Sequence, residues 1–257
     1  MRNKALTPDI KYEDDDILVC LKPAGIASQT ADITQTDMVS LVKRYLSEKG
    51  ISSEGLGPVH RLDQPVTGLM LFAKNEKTLK ELNRLLKDGK IRKSYYAIAE
   101  GLVEGQENEV VELVDLIDKD RKNNRALIYD NGKKSGSAKK AVLNYRIIRK
   151  YPEKNLTLLD IDLKTGRFHQ IRAQLAHMGH PVLYDLKYGG HKGSGNVTGK
   201  GTGVLREEAE SPGDRDLKGI GLYAYRLVFI HPLSKKEIRI EVSEKALGIV
   251  DFLENER

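Results

Sequence analysis

The chain has 257 residues, 43 of them Lys or Arg and 37 Asp or Glu, long enough to bury a sizeable core in one large domain or two small ones. No apolar stretch reaches the roughly 18 residues that a membrane-spanning helix needs, and Met1 to Ile10 is too polar for a signal peptide. A single cysteine, Cys20, excludes an internal disulfide or a multi-cysteine metal site and makes a reducing, cytoplasmic setting the expectation.

The first predicted elements lie in "ILVCLKPAGIASQ" (17–29), a strand, a Lys-Pro turn and a short extended piece. A helix follows over 36–50, with Thr36 or Asp37 as N-cap and Gly50 beyond its end. "GLMLFAK" (68–74) is apolar on both alternate faces, the pattern of a central strand covered on both sides. A second helix, 75–90, starts at Asn75, stops at Gly89 and aligns Leu79, Leu82, Leu85 and Leu86 on one face. "IRKSYYAIAEG", "RALIYD", "KKAVLNYRII" and "NLTLLDIDLK" read as strands, and "GRFHQIRAQLAHMGH" (166–180) as a third helix. "GLYAYRLVFIH" and "KEIRIEV" make a hairpin around "PLSKK", and a short helix ends the chain. Sequential strands with few helices predict an α+β fold: a large mixed, mostly antiparallel sheet flanked by helices.

The charge is uneven. Residues 74–154 hold 20 basic and 13 acidic side chains, while the rest of the chain is close to neutral. A basic surface of this kind suits a polyanion, nucleic acid first, although a solvated lysine-rich face has the same composition. The Gly-rich stretch 190–218 contains neither a P-loop nor a dinucleotide fingerprint and reads as a flexible loop. His169 and His177 are eight residues apart, about 12 Å along a helix, too far to share a zinc ion. His177 and His180 lack a third ligand nearby, so no metal is expected. No G-x-S-x-G elbow exists, and Ser135 and Ser137 fall in a Gly/Lys turn, which excludes the usual serine hydrolase.

Arg172 carries more information. At about 100° per residue, Phe168, Ile171, Leu175, Ala176 and Met178 form an apolar arc, and Arg172 falls inside it. A guanidinium facing a core demands a carboxylate. Asp63, between Leu62 and Pro65 at the edge of the most apolar strand, meets that demand; Asp160, Asp162 and Asp185 are rivals. In "KSYYAIAEG", Tyr95 shares a strand face with Ala97 and Ala99, and Tyr96 lies opposite. One of the two tyrosines packs inward, and the other could face a cleft.

"HRLDQPVTGLMLFAKN", "KSYYAIAEG" and "LKTGRFHQIRAQLAHMGHPVLYDLKYGG", in that order, resemble the RluA-like family of RNA pseudouridine synthases. Similar blocks run from Asp14 to Pro232, more weakly between Gly101 and Lys154. The resemblance implies a catalytic domain with a central RNA-binding cleft, acting without a cofactor as an isomerase of uridine in ribosomal RNA (large subunit first) or transfer RNA. It implies that Asp63 is the catalytic aspartate, that Arg172 pairs with it, and that Tyr95 stacks on the target uracil and could assist proton removal at C5. Arg61 would enter the RNA stack as the nucleotide leaves, and Leu222 would wall the pocket. His60, Arg167, His169 and Gln170 belong to the same motifs and are expected against RNA. A monomer of one domain spanning 1–257 is expected, since only ten residues precede Lys11 and leave no room in this sequence for the separate RNA-binding domain of many relatives. Two positions depart from the family pattern. Gln174 stands where a histidine is usual, and Tyr184 stands where a glycine usually precedes the aspartate. Two other readings use the same residues: a non-catalytic RNA-binding module, and a glycosidase, which would want two acids flanking the bond.

Overall fold

The computed structural model describes residues 6–32, 34–129, 136–191 and 219–254. Its strands are β1 (Asp9–Glu13), β2 (Ile17–Lys22), β3 (Gly57–Pro58), β4 (Thr67–Ala73), β5 (Arg92–Glu100), β6 (Val111–Asp120), β7 (Arg125–Tyr129), β8 (Lys139–Tyr151), β9 (Leu156–Leu163), β10 (Leu222–Ile230) and β11 (Glu237–Glu241). The helices are α1 (Met38–Glu48), α2 (Glu76–Lys87), α3 (Gln170–His177) and α4 (Ile249–Glu254). All eleven strands join one sheet in the order β1-β2-β4-β10-β5-β9-β8-β6-β7, with β11 added to β10 and β3 to β4.

Both faces of the central strands are covered, as the unbroken apolar run of β4 requires: Gly68 to Ala73 are all buried. Met70 and Phe72 point to a cluster shared with Met38, Leu41, Val42 and Leu46 of α1 and with Ile171 and Leu175 of α3. Leu69, Leu71 and Ala73 point the other way, to Leu82 of α2, while Ile249 and Leu253 of α4 cover Ile98 and Leu158 further along the sheet. Helices α1 and α3 therefore lie on one face, and α2 and α4 on the other.

The caps follow the sequence. Asp37 accepts from Ser40 N and its own N–H is returned to the Ser40 hydroxyl, while Asn75 caps α2 through Thr78 N. β4 and β10 form the one parallel strand pair among the described residues, through Tyr223–Thr67 and Ala224–Gly68. Gly68 sits at φ +148°, and a Cβ there would come within 2.5 Å of the Ala224 backbone. Glycine is what lets the two strands approach at the mouth of the site.

One sequence expectation needs correction, two strands were missed, and one expectation falls outside the described residues. β1 and β6 carried no recognised signal, and α3 begins at Gln170 rather than near Arg167. The helix is shortened because His169 adopts the left-handed conformation, φ +50°, which stops helical propagation backwards. The Gly-rich stretch 190–218 lies, from residue 192 onward, outside the described residues.

Candidate active site

Asp63 sits on the turn that leads into β4, closed by Val66 N–H donating to the Asp63 carbonyl. Two side chains from the preceding segment hold this turn. The Ser28 hydroxyl donates to Leu62 O at 2.7 Å and accepts from Leu62 N at 2.9 Å. Lys22, completely buried, spends its ammonium on the carbonyls of Pro23, Ile26 and Gln64. Burial pushes the Lys22 pKa down to about 8, opposed by the Asp63 carboxylate. The carboxylate-bearing turn is thus tied to β2 before any contact with α3 is made.

Arg172 reaches across from α3, where every residue from Gln170 to Leu175 is buried. Its Nη1 donates to Asp63 Oδ2 at 2.8 Å, and its Nε and Nη2 donate to Asp185 Oδ2 and Oδ1 at 2.6 and 2.8 Å. The guanidinium therefore clamps Asp185 in bidentate fashion and offers its remaining edge to Asp63. Burial alone would lower its pKa, but hydrogen bonds and charge from Asp185 and Asp63 outweigh that and raise it. The expected pairing with Asp63 is present. Asp185, named only as a rival, is a second partner, 1% exposed, while Asp160 pairs elsewhere with Arg146 and Tyr225.

Beside this pair stands His169, its Nε2 3.5 Å from Asp63 Oδ2 and its Nδ1 2.8 Å from the Tyr188 hydroxyl. Phe168 stacks on the His169 ring at 3.8 Å, with the Lys119 ammonium over the Phe168 ring at 4.0 Å. Desolvation pushes the His169 pKa down to about 4 against the pull of Asp63, so the ring is neutral near pH 7.

Tyr95 faces the same side, buried among Leu222, Ala97 and the α3 residues, and paired in register with Ala224 and Ile161. Burial, then the Asp63 charge, raise its pKa, so it stands as a phenol. Tyr96 points to the opposite face and stacks on Tyr225 at 3.7 Å. Arg61 is exposed, with no hydrogen bond or ion pair to the described residues. Arg167 lies part-exposed at the rim, donating from Nε to Lys140 O.

Two expected RNA contacts are displaced inward. His60 is buried and its Nε2 accepts from Leu71 N–H, which makes it a core group. Gln170 is buried, accepting from Thr165 and Arg167 and donating to Val142 and Gln174; it braces the start of α3. Gln174 in turn donates to Asp115 of β6. Tyr184 takes φ +63°, the conformation a glycine adopts most freely, and sets its ring edge-on to Phe252 of α4. Lys22, Ser28 and Tyr188 had no recognised role in the sequence, and Asp185 was only a rival partner for Arg172. Asp185 and Tyr188 follow α3 in "LYDLKYGG", a clue only once Arg172 is known to face that turn.

Asp14, Asp16 and His231 have metal-like spacing, but His231 Nδ1 accepts from Leu233 and Ser234 N–H. Its Nε2 must therefore carry the ring proton, facing Asp14 at 3.2 Å, and a protonated nitrogen does not ligate.

The family model for RNA pseudouridylate synthase matches residues 16–177. An uncharacterized RNA pseudouridine synthase of Aquifex aeolicus is 31% identical over 241 residues, covering 92% of this chain and 69% of that one. Ribosomal large subunit pseudouridine synthase D of Pasteurella multocida is 33% identical over 229 residues, covering 88% and 64%. tRNA pseudouridine synthase C of the same species is 29% identical over 259 residues, covering 97% of both. The solved human RNA pseudouridylate synthase domain containing 1 shares the fold with a TM-score of 0.67 at 18% identity, covering 93% of this chain and 86% of that one. The chain belongs to the RNA pseudouridylate synthase family, in its RluA-like branch. Enzymes of this family isomerise uridine to pseudouridine in RNA.

Proposed function

We propose that Asp63 is the carboxylate with which this protein isomerises uridine, and that large-subunit ribosomal RNA is its substrate. The observation that carries the site reading is the 2.8 Å contact of Arg172 with Asp63 at the end of β4, on the sheet face that also holds Tyr95. The N1–C1′ bond breaks, the base turns, and C5 joins C1′; the hydrogen on C5 leaves and N1 gains one. RNA supplies every heavy atom, so no cofactor enters the scheme. A carboxylate beside the sugar–base junction serves either as a nucleophile or as a proton acceptor. Arg172, itself fixed by Asp185, holds Asp63 in one rotamer. Tyr95 holds the detached base through its ring; its raised pKa opposes use of the phenol as a base at C5. Extruding the nucleotide costs a few kcal/mol in a duplex and less in a loop, and exposed Arg61 offsets part of this by filling the gap and meeting phosphate.

Transfer RNA is the second substrate reading, favoured by the alignment with tRNA pseudouridine synthase C that spans 97% of both chains. The protein is proposed to act as a cytoplasmic monomer; among the described residues no helix is long and apolar enough to cross a membrane. Mapping pseudouridine in total RNA from a deletion strain and its parent tests the proposal. Loss of a large-subunit ribosomal site is expected. Loss confined to transfer RNA moves the assignment to the second reading, and unchanged maps contradict both.

A further inference from the structure

We infer that Tyr188 is a positioning residue: its hydroxyl locks His169 as the Nε2–H tautomer, so that two donors converge on Asp63 Oδ2 and Oδ1 is the oxygen presented to the nucleotide. The inference rests on the reading of Asp63 as the acting carboxylate.

The proton assignment follows from one chain of contacts. Ala126 N–H donates to the Tyr188 hydroxyl oxygen at 2.6 Å, and that hydroxyl lies 2.8 Å from His169 Nδ1. Its oxygen already accepts from Ala126, and burial raises its pKa so that it keeps its proton. That proton is therefore donated to Nδ1. A neutral imidazole that accepts at Nδ1 carries its hydrogen on Nε2, the nitrogen 3.5 Å from Asp63 Oδ2. The reverse tautomer would turn a lone pair toward the carboxylate. Arg172 Nη1 meets the same Oδ2 at 2.8 Å, and no hydrogen bond from the described residues reaches Oδ1.

Tyr188 is built into this position. It is buried, with the Arg172 and Arg125 guanidinium carbons 5.1 and 5.0 Å from its ring centre. The Tyr188 and His169 rings meet edge-to-face. One residue thus touches both groups that touch Asp63. The left-handed backbone of His169, φ +50°, is the local strain that aims the ring.

The test uses the full chain labelled with ¹⁵N-histidine, together with C5-tritiated total RNA from a deletion strain as substrate. The chain has six histidines, and the His169 signals are assigned by their loss in His169→Gln. The wild type is expected to show His169 with a bare Nδ1 and a protonated Nε2. Tyr188→Phe keeps the ring and removes the hydroxyl. A mixed tautomer signal is expected, with kcat lowered about tenfold, the worth of one hydrogen bond, at unchanged apparent KM. His169→Gln carries its own amide donor, so adding Tyr188→Phe to it should cost little more, and His169→Leu, with no donor, should fall well below it. The last comparison stands even if Tyr188→Phe fails to fold. Wild-type tautomer and kcat in Tyr188→Phe, an equal loss in both backgrounds, or equal rates in His169→Gln and His169→Leu would each overturn the inference. A wild-type protein that makes no pseudouridine instead defeats the functional reading, while the ¹⁵N spectrum still decides the tautomer.

Discussion

Two neutral histidines, His60 buried and His169 half-buried, make the molecule sensitive to acid. His60 accepts from Leu71 N–H, and desolvation, then the charge of Lys93, push its pKa down to about 3. His169 is held near 4 by the same main cause. An unfolded histidine titrates near 6.5. Between that pH and the folded values, the unfolded chain binds protons that the folded one refuses. The stability these groups allow is therefore fully present above pH 6.5 and is lost as pH falls toward 4, at about 1.4 kcal/mol per pH unit for each histidine. Melting curves taken from about pH 7 down to about pH 4.5 should show His60→Gln losing stability less steeply than wild type. Parallel slopes would contradict the assignment of His60 as a neutral core group.

Helix α3 is the element on which the site turns, and its charge pairs are coupled through Arg172. Removing one partner of a buried ion pair costs on the order of 3–5 kcal/mol, so Asp185→Asn and Arg172→Met should each destabilise the protein strongly and lower kcat. Because both disrupt one network, the double variant should be destabilised by clearly less than the sum, as read from urea unfolding. Additive losses would show that Asp185 does not act through Arg172. The inward face of Arg172 was legible from helical periodicity, even though the wheel wrongly extended to Phe168, which stacks on His169 instead. Helices α1 and α2, the buried strand β4 and the β10–β11 hairpin were legible from caps and alternation. β1 and β6 were not, because β1 is charged at every other position, β6 carries five charges in ten residues without a strand-like alternation, and both are half-exposed. Lys22 and Ser28 were opaque for another reason: their partners Gln64 and Leu62 lie 42 and 34 residues away, and local pattern says nothing about such contacts.

At the scale of the whole molecule, the sheet presents one acid at its parallel seam and surrounds it with cations. Arg125, Lys140 and Lys187 are exposed on the side of α3 and β7, and Arg167 lies at the rim. These charges suit the phosphates of an RNA bound at Asp63, so RNA affinity should fall as salt rises. Arg167→Gln with Lys140→Gln should weaken binding evenly across RNAs and reduce the salt slope by about one for each phosphate contact removed. An unchanged slope would place the RNA elsewhere. The central claim, that Asp63 performs the isomerisation, is tested most directly by tritium release from RNA labelled at uridine C5. The account predicts that Asp63→Asn folds, binds the RNA and releases no tritium, whereas sustained release by that variant would contradict it.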